Sequence, residues 1–162
     1  FRGKRHRTAQ VSSPLSAAPD ARDTLRTSDE RGSDVLKGSC LCGKIRYEVS
    51  GPLGSIVYCH CSQCRKASGS SFTTNASIAV EHFRFTHGAE LLREHASSPG
   101  VRRCFCGECG SPIIKRVDSS PDSVRLRLGT LDGDPGAKPV AHIFVGSRAP
   151  WTELSDGLPQ RE

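Results

Sequence analysis

Eight cysteines in 162 residues, gathered into three tight clusters, constrain this chain more than any other feature. Cys40 and Cys42 form C-x-C just before Gly43. Cys59, Cys61 and Cys64 form C-x-C-x-x-C, and Cys104, Cys106 and Cys109 lie in RCFCGECGS. An even count raises a disulfide framework first, and such a framework needs an oxidising compartment. A pair separated by one residue, however, closes a local bridge only with strain. Residues 1–30 also hold no apolar run of secretory length, because the stretch from Val11 to Ala21 is broken by serines and prolines. Metal coordination in a cytoplasmic protein is the expectation.

Ligand counting divides the sulfurs. Structural zinc takes four ligands, usually as two pairs from separate parts of the chain. Cys40 and Cys42 with Cys106 and Cys109 make such a set, and Cys106-Gly-Glu-Cys109-Gly110 reads as a zinc knuckle. Cys59, Cys61 and Cys64 then remain as a local triplet. Three protein ligands and an open position are what a reactive zinc requires. The competing arrangement recruits Cys104 as a fourth ligand of the triplet; otherwise Cys104 is a small buried hydrophobe. Spacing alone leaves both open.

The formal charge of +6 invites a nucleic-acid reading. The metal undercuts it, because ligating cysteines are deprotonated. Seven thiolates on two Zn²⁺ remove three charges, and residues 36–162 hold 16 Lys and Arg against 12 Asp and Glu. The metallated domain would sit near neutrality, so no nucleic-acid partner is expected for it. No stretch reaches the roughly 20 apolar residues of a membrane span, so no membrane partner is expected either.

Residues 1–35 read as a disordered extension, with Arg2, Lys4, Arg5 and Arg7 followed by Ser, Ala and Pro. Its acid-free start shares the composition of organelle transit peptides, although a solvated tail is the plainer reading. Residues 36–162 read as one mainly β domain of short strands with little helix. Lys44–Val49 and Ser123–Leu128 alternate apolar and polar residues, Ile113–Val117 and Val140–Val145 are β-branched runs, and Ser71–Val80 and His82–Thr86 are weaker strands. Gly51-Pro52, Ser98-Pro99-Gly100, Ser119–Asp122 and Asp132–Gly136 mark turns.

The segments GSCLCGKIRYEVSGP, YCHCSQCRKASGS, RCFCGECGSPI, LGTLDG, AHIFVGSRAPW and LSDGLP resemble the glutathione-dependent formaldehyde-activating enzyme and centromere protein V family, from about Gly38 to Pro159. The resemblance implies an Mss4-like fold stapled by zinc. It implies structural-zinc positions for Cys40, Cys42, Cys106 and Cys109, and a second, substrate-facing zinc on Cys59, Cys61 and Cys64. Cys104 has no ligand counterpart in the family. The implied activity is carbon–sulfur lyase chemistry, joining glutathione and formaldehyde into S-hydroxymethylglutathione.

A zinc on three thiolates is a weak activator of water and a soft site suited to another thiolate. Glutathione or a similar small thiol is therefore the expected co-substrate, with formaldehyde or a small electrophile as its partner. Arg65 and Lys66 follow the triplet and could meet substrate carboxylates, or else are solvated. His60 is read as a neighbour of the site or an exposed residue rather than a ligand. His142 is a candidate proton donor or a structural histidine, and Trp151 a core or rim anchor. The alternative function is a non-enzymatic zinc module for protein or chromatin binding.

Overall fold

The computed structural model describes residues 35–162. The expectations for the N-terminal extension, Val35 apart, lie outside the described residues. Two sheets face one another. The small one runs in the order β1 (Leu36–Ser39), β2 (Arg46–Val49), β5 (Phe83–His87), with every neighbour antiparallel. The large one has the order β11 (Gln160–Arg161), β10 (Ala141–Ile143), β3 (Val57–Cys59), β4 (Thr73–Ala79), β9 (Ser123–Arg127), β8 (Pro112–Val117), β7 (Val101–Cys106), β6 (Leu92–Ser98). It is antiparallel except where β10 lies parallel to β3 and β11.

Alternation along the strands fills the space between the sheets. Tyr47 and Val49 from the small sheet, with Ile45 just before β2, meet Ile78, Cys104, Ile114, Val124 and Leu126 from the large one in a single buried cluster. Each fully buried aliphatic here contributes about 1.5–3 kcal/mol of transfer free energy. The Tyr47 hydroxyl inside this layer is satisfied by Thr130 Oγ1 at 2.8 Å.

The mainly β expectation holds, with particular departures. The Val140–Val145 run ends as a strand at Ile143, because Phe144 turns into the left-handed region at φ 56° and a single 3₁₀ turn follows. The strands β1, β3, β6 and β7 carry too few alternating apolar residues to be read from sequence. One α-helix, α1 (Ser62–Ser68), has no helical stripe at all. Seven residues are too few to hold a helix by propensity. It is held instead by its ends: Cys61 Sγ accepts from the Cys64 N–H at 3.3 Å, and Gly69 closes it at φ 63° with its N–H on the Arg65 carbonyl.

Gly88 ties the small sheet to the cysteine loops. Its φ is 69°, and a Cβ there would lie 2.0 Å from the Lys44 carbonyl oxygen. Its own carbonyl accepts from Leu91 N–H, and the Leu91 carbonyl accepts from Gly107 N–H. Gly88→Ala combines left-handed strain with a backbone clash, and it should lower unfolding free energy by roughly 2–4 kcal/mol. Denaturant titration of the two proteins measures this directly.

Candidate metal centre and adjoining cavity

Two loops of the same design bring the first four sulfurs together. In each, a cysteine N–H donates to a carbonyl five residues on: Cys40 to Ile45 at 3.0 Å and Cys106 to Ser111 at 2.9 Å. Each loop also turns on a glycine with positive φ, Gly43 and Gly110, whose N–H returns to the first cysteine's carbonyl. The result places Cys40, Cys42, Cys106 and Cys109 Sγ atoms all within 4.8 Å of one another. A Zn–S length of about 2.3 Å sets a tetrahedral S···S edge of about 3.8 Å. The Cys40–Cys42 and Cys42–Cys106 sulfurs lie 3.4 and 3.9 Å apart. These distances are far from a disulfide, and all eight thiols are free. The Ile45 N–H points at Cys40 Sγ at 3.2 Å, and hydrogen bonding by the Ser111 hydroxyl and backbone helps draw the Cys109 thiol down to about 6. A Lys44–Glu108 ion pair at 2.7 Å joins the loops from outside, where solvent limits its worth. Four soft donors at these spacings fit a structural Zn²⁺.

The second cluster is local. Cys59 ends β3, Cys61 caps α1 and Cys64 sits in the helix's first turn, with the three sulfurs within 4.8 Å and the Cys59–Cys61 pair at 3.7 Å. Among the described residues no fourth Cys, His, Asp or Glu joins them. Cys104 lies elsewhere. It packs in the core between the sheets, with its thiol on Glu94 Oε1 at 3.4 Å, and burial pushes that thiol up to about 12. The reason is alternation: the neighbouring Arg103 points to the triplet's face of the sheet, so Cys104 must point to the other.

Cations that the sequence reading did not single out surround the triplet. Arg103 Nη1 lies 3.9 Å from Cys64 Sγ, and Arg103 is also held by Ser97 Oγ and Gln63 Oε1. Arg127 is buried against Asn75 Oδ1. The Cys64 thiol is held well below the usual cysteine range by the Cys59 hydrogen bond and then by the Arg127 charge. Cys59 is pushed up in turn by that same hydrogen bond and by burial. The pair is thus set to give up its first proton readily, as metal binding requires. Three thiolates suit the same soft divalent ion while leaving one tetrahedral position free.

Cys59 and Cys64 open onto a cavity of about 650 Å³ whose wall also includes Asn75, Lys115, Arg125, Ile143 and Phe144. A second depression of similar volume touches the four-sulfur cluster only at Cys40, where four donors would already complete a tetrahedron around an ion. Phe144 stands half-exposed at the rim of the first cavity in its left-handed conformation, the kind of strained position that collects at binding sites.

The remaining candidates lie outside this cavity. Arg65 Nε donates to the His60 carbonyl at 3.3 Å, bracing the loop, and Arg65 and Lys66 line a separate shallow depression with Trp151. Trp151 is 74% exposed, with its indole N–H on Ser71 Oγ, so the core-anchor expectation gives way to a rim position. His142 pairs across strands with Tyr58, whereas Cys59 pairs with Ile143; His142 therefore points to the opposite face from Cys59. There it forms a chain with His60 Nε2 at 2.8 Å and the Asp156 carboxylate at 3.0 Å, packed on Tyr58 and Phe72. If Asp156 accepts from His142 Nε2–H, then His142 Nδ1 accepts from His60 Nε2–H. That leaves His60 Nδ1 as a buried lone pair, and among the described residues Nδ1 has no hydrogen-bond partner. Burial holds His60 below the usual histidine range, which agrees with a neutral ring. His60 is fully buried rather than exposed.

Known proteins are similar to this chain in sequence and in fold. Residues 35–147 match the family described as glutathione-dependent formaldehyde-activating enzyme. A Halomonas elongata protein provisionally named for that activity is 30% identical over 129 residues, covering 74% of this chain and 81% of its own length. A Phaeosphaeria nodorum protein with the same provisional name is 26% identical over 127 residues, covering 72% of this chain and 66% of its own. A crystal structure of a Rhodobacter sphaeroides protein superposes with a TM-score of 0.53 at 26% identity, over 60% of this chain and 89% of that one. With its paired cysteine loops, its separate triplet and a family match across most of the described residues, the chain belongs to the glutathione-dependent formaldehyde-activating enzyme family.

Proposed function

We propose that this protein is a zinc-dependent carbon–sulfur lyase that adds a small thiol, glutathione or a relative, to formaldehyde or another small electrophile, and catalyses the reverse. The observation that carries this reading is that the incomplete cluster, and not the complete one, presents two sulfurs to a cavity of ligand size. A scaffold that only binds proteins has no use for such an arrangement.

Cys59, Cys61 and Cys64 would hold the second Zn²⁺, and Cys40, Cys42, Cys106 and Cys109 the structural one. When bound, the second ion supplies an open soft position at which a thiol's acidity rises. The chain's own residues do the rest. The Cys61 cap on α1 and the Arg65 bond to the His60 carbonyl hold the three sulfurs in one place. Arg103 and Arg127 keep the negative charge of these sulfurs compensated as an anionic substrate approaches. In the reaction the substrate sulfur's electron pair forms a C–S bond with the carbonyl carbon. The C=O π pair moves to oxygen, which takes up the proton the thiol gave up, so the hydroxymethyl thioether contains every atom of its two precursors. The His60–His142–Asp156 chain lies behind the loop, where it fixes the backbone rather than exchanging protons with substrate.

Cobalt-substituted protein tests the proposal. Glutathione should raise the thiolate-to-metal charge-transfer absorption stoichiometrically with one site per chain. A spectrum indifferent to thiol would remove the reading.

A further inference from the structure

The face of the large sheet beneath the triplet is crowded with positive charge. Arg103 pairs directly with Lys115 and Lys115 directly with Arg125 across β7, β8 and β9, and Arg127 follows two residues along β9 on the same side. Like charges placed opposite one another destabilise a sheet. On the other face the problem is solved locally, where Arg102 pairs with Asp118 and Arg116 with Glu94. Among the described residues, none of the four cations on the triplet's face has a carboxylate partner.

The four divide by what they touch. Arg103 and Arg127 are buried beside Cys64 and are engaged by neutral acceptors of the protein. They offset the single net negative charge that three thiolates would leave on a divalent ion. Lys115 and Arg125 make no hydrogen bond to any described residue, and both line the cavity that opens at Cys59 and Cys64. The rest of that wall is hydroxyl, amide and apolar, from Ser55, Ser119, Ser120, Ser123, Asn75 and Val57, with no acid in it. Two free cations and two cysteines of the triplet line the same chamber, which makes it a receptor for an anion that also carries sulfur.

We infer that Lys115 and Arg125 are the specificity-determining residues of this cavity and that they select thiols that carry carboxylates over neutral ones. The inference rests on the sulfur-binding reading above and assigns the residues that make the selection. Neutral thiols would enter the same cavity but gain nothing from the two cations. Binding should weaken with added salt, since Arg125 is exposed.

The probe is S-methylglutathione, which keeps both carboxylates but has a blocked sulfur, titrated calorimetrically into the zinc-loaded full chain alongside its diester. The diacid should bind at least tenfold more tightly than the diester. Lys115→Met and Arg125→Gln should each weaken the diacid roughly tenfold, consistent with loss of one charge-assisted contact, and leave the diester unchanged. Because each substitution removes a like-charge neighbour, the thermal midpoint should hold or rise. Equal affinity for diacid and diester, or variants within twofold of the parent, would overturn the inference. So would Lys115-dependent binding of inorganic phosphate without binding of the diacid. The cobalt titration separates the two readings. A glutathione response that survives Lys115→Met with an unchanged midpoint removes this inference alone. Charge-dependent S-methylglutathione binding beside an unmoved cobalt spectrum removes the sulfur chemistry alone.

Discussion

Cys106→Ser is expected to yield a chain that does not hold its fold, with circular dichroism showing loss of the cooperative thermal transition. Cys106 is wholly buried and stands at the junction of β7 with the second cysteine loop. Through the shared ion it would link to Cys42, 64 residues away in sequence, so its loss reopens a long loop as well as a metal site. Structural zinc contributes about 10–16 kcal/mol in small zinc domains, against a total stability of about 5–15 kcal/mol for an ordinary domain. The core between the sheets is thin, and its buried cluster includes Cys40 and Cys106 themselves. Cys109→Ser should behave alike, and a strong chelator should reproduce both in the parent protein. A folded, chelator-resistant Cys106→Ser variant would show that apolar packing alone sustains the domain.

Cys61→Ser is expected to do the reverse, abolishing activity while sparing the fold. Cys61 is partly exposed, and its structural duty is to cap a seven-residue helix. Serine is among the best residues for that duty, so the cap to the Cys64 N–H survives the substitution. Loss of one of the three donors proposed for the second ion should lower turnover well beyond the roughly 10–100-fold typical of changes outside the coordination sphere. The thermal midpoint should move by only a few degrees. Assay of formaldehyde consumption with glutathione, beside a melting curve, checks both halves. Equal loss of fold in Cys61→Ser and Cys106→Ser would mean that both clusters are structural.

These contrasts show where the chain could be read directly. Ligand counting put Cys40, Cys42, Cys106 and Cys109 together and Cys59, Cys61 and Cys64 apart, because ligand number is a chemical constraint. Spacing left Cys104 open as a fourth donor to the triplet, and only its place in the core between the sheets separates it. Ser123–Leu128 was legible because its alternation sets one face on the core, and Ile113–Val117 because it is a β-branched run; they stand in the structure as Ser123–Arg127 and Pro112–Val117. That same legibility hid the site. In SVRLRL the charged positions read as the solvent side of a half-buried strand. In the structure Arg127 is 4% exposed and Arg103 lies against Cys64, because α1 covers part of that face. The helix itself left no periodic signal, since a sulfur cap and a C-terminal glycine hold it rather than an amphipathic stripe. Arg65 and Lys66 follow the triplet in sequence and yet line another surface, whereas Lys115 and Arg125, some fifty or more residues downstream, line its cavity. A row of unmatched cations across three paired strands becomes visible only once the register is known.

X-ray absorption at the zinc edge, combined with metal stoichiometry, tests the central claim most directly. The account predicts two ions per chain, one with four sulfurs and the other with three sulfurs and one lighter atom that glutathione replaces by sulfur. Two ions each already held by four donors of the chain, with neither spectrum changed by glutathione, would contradict it.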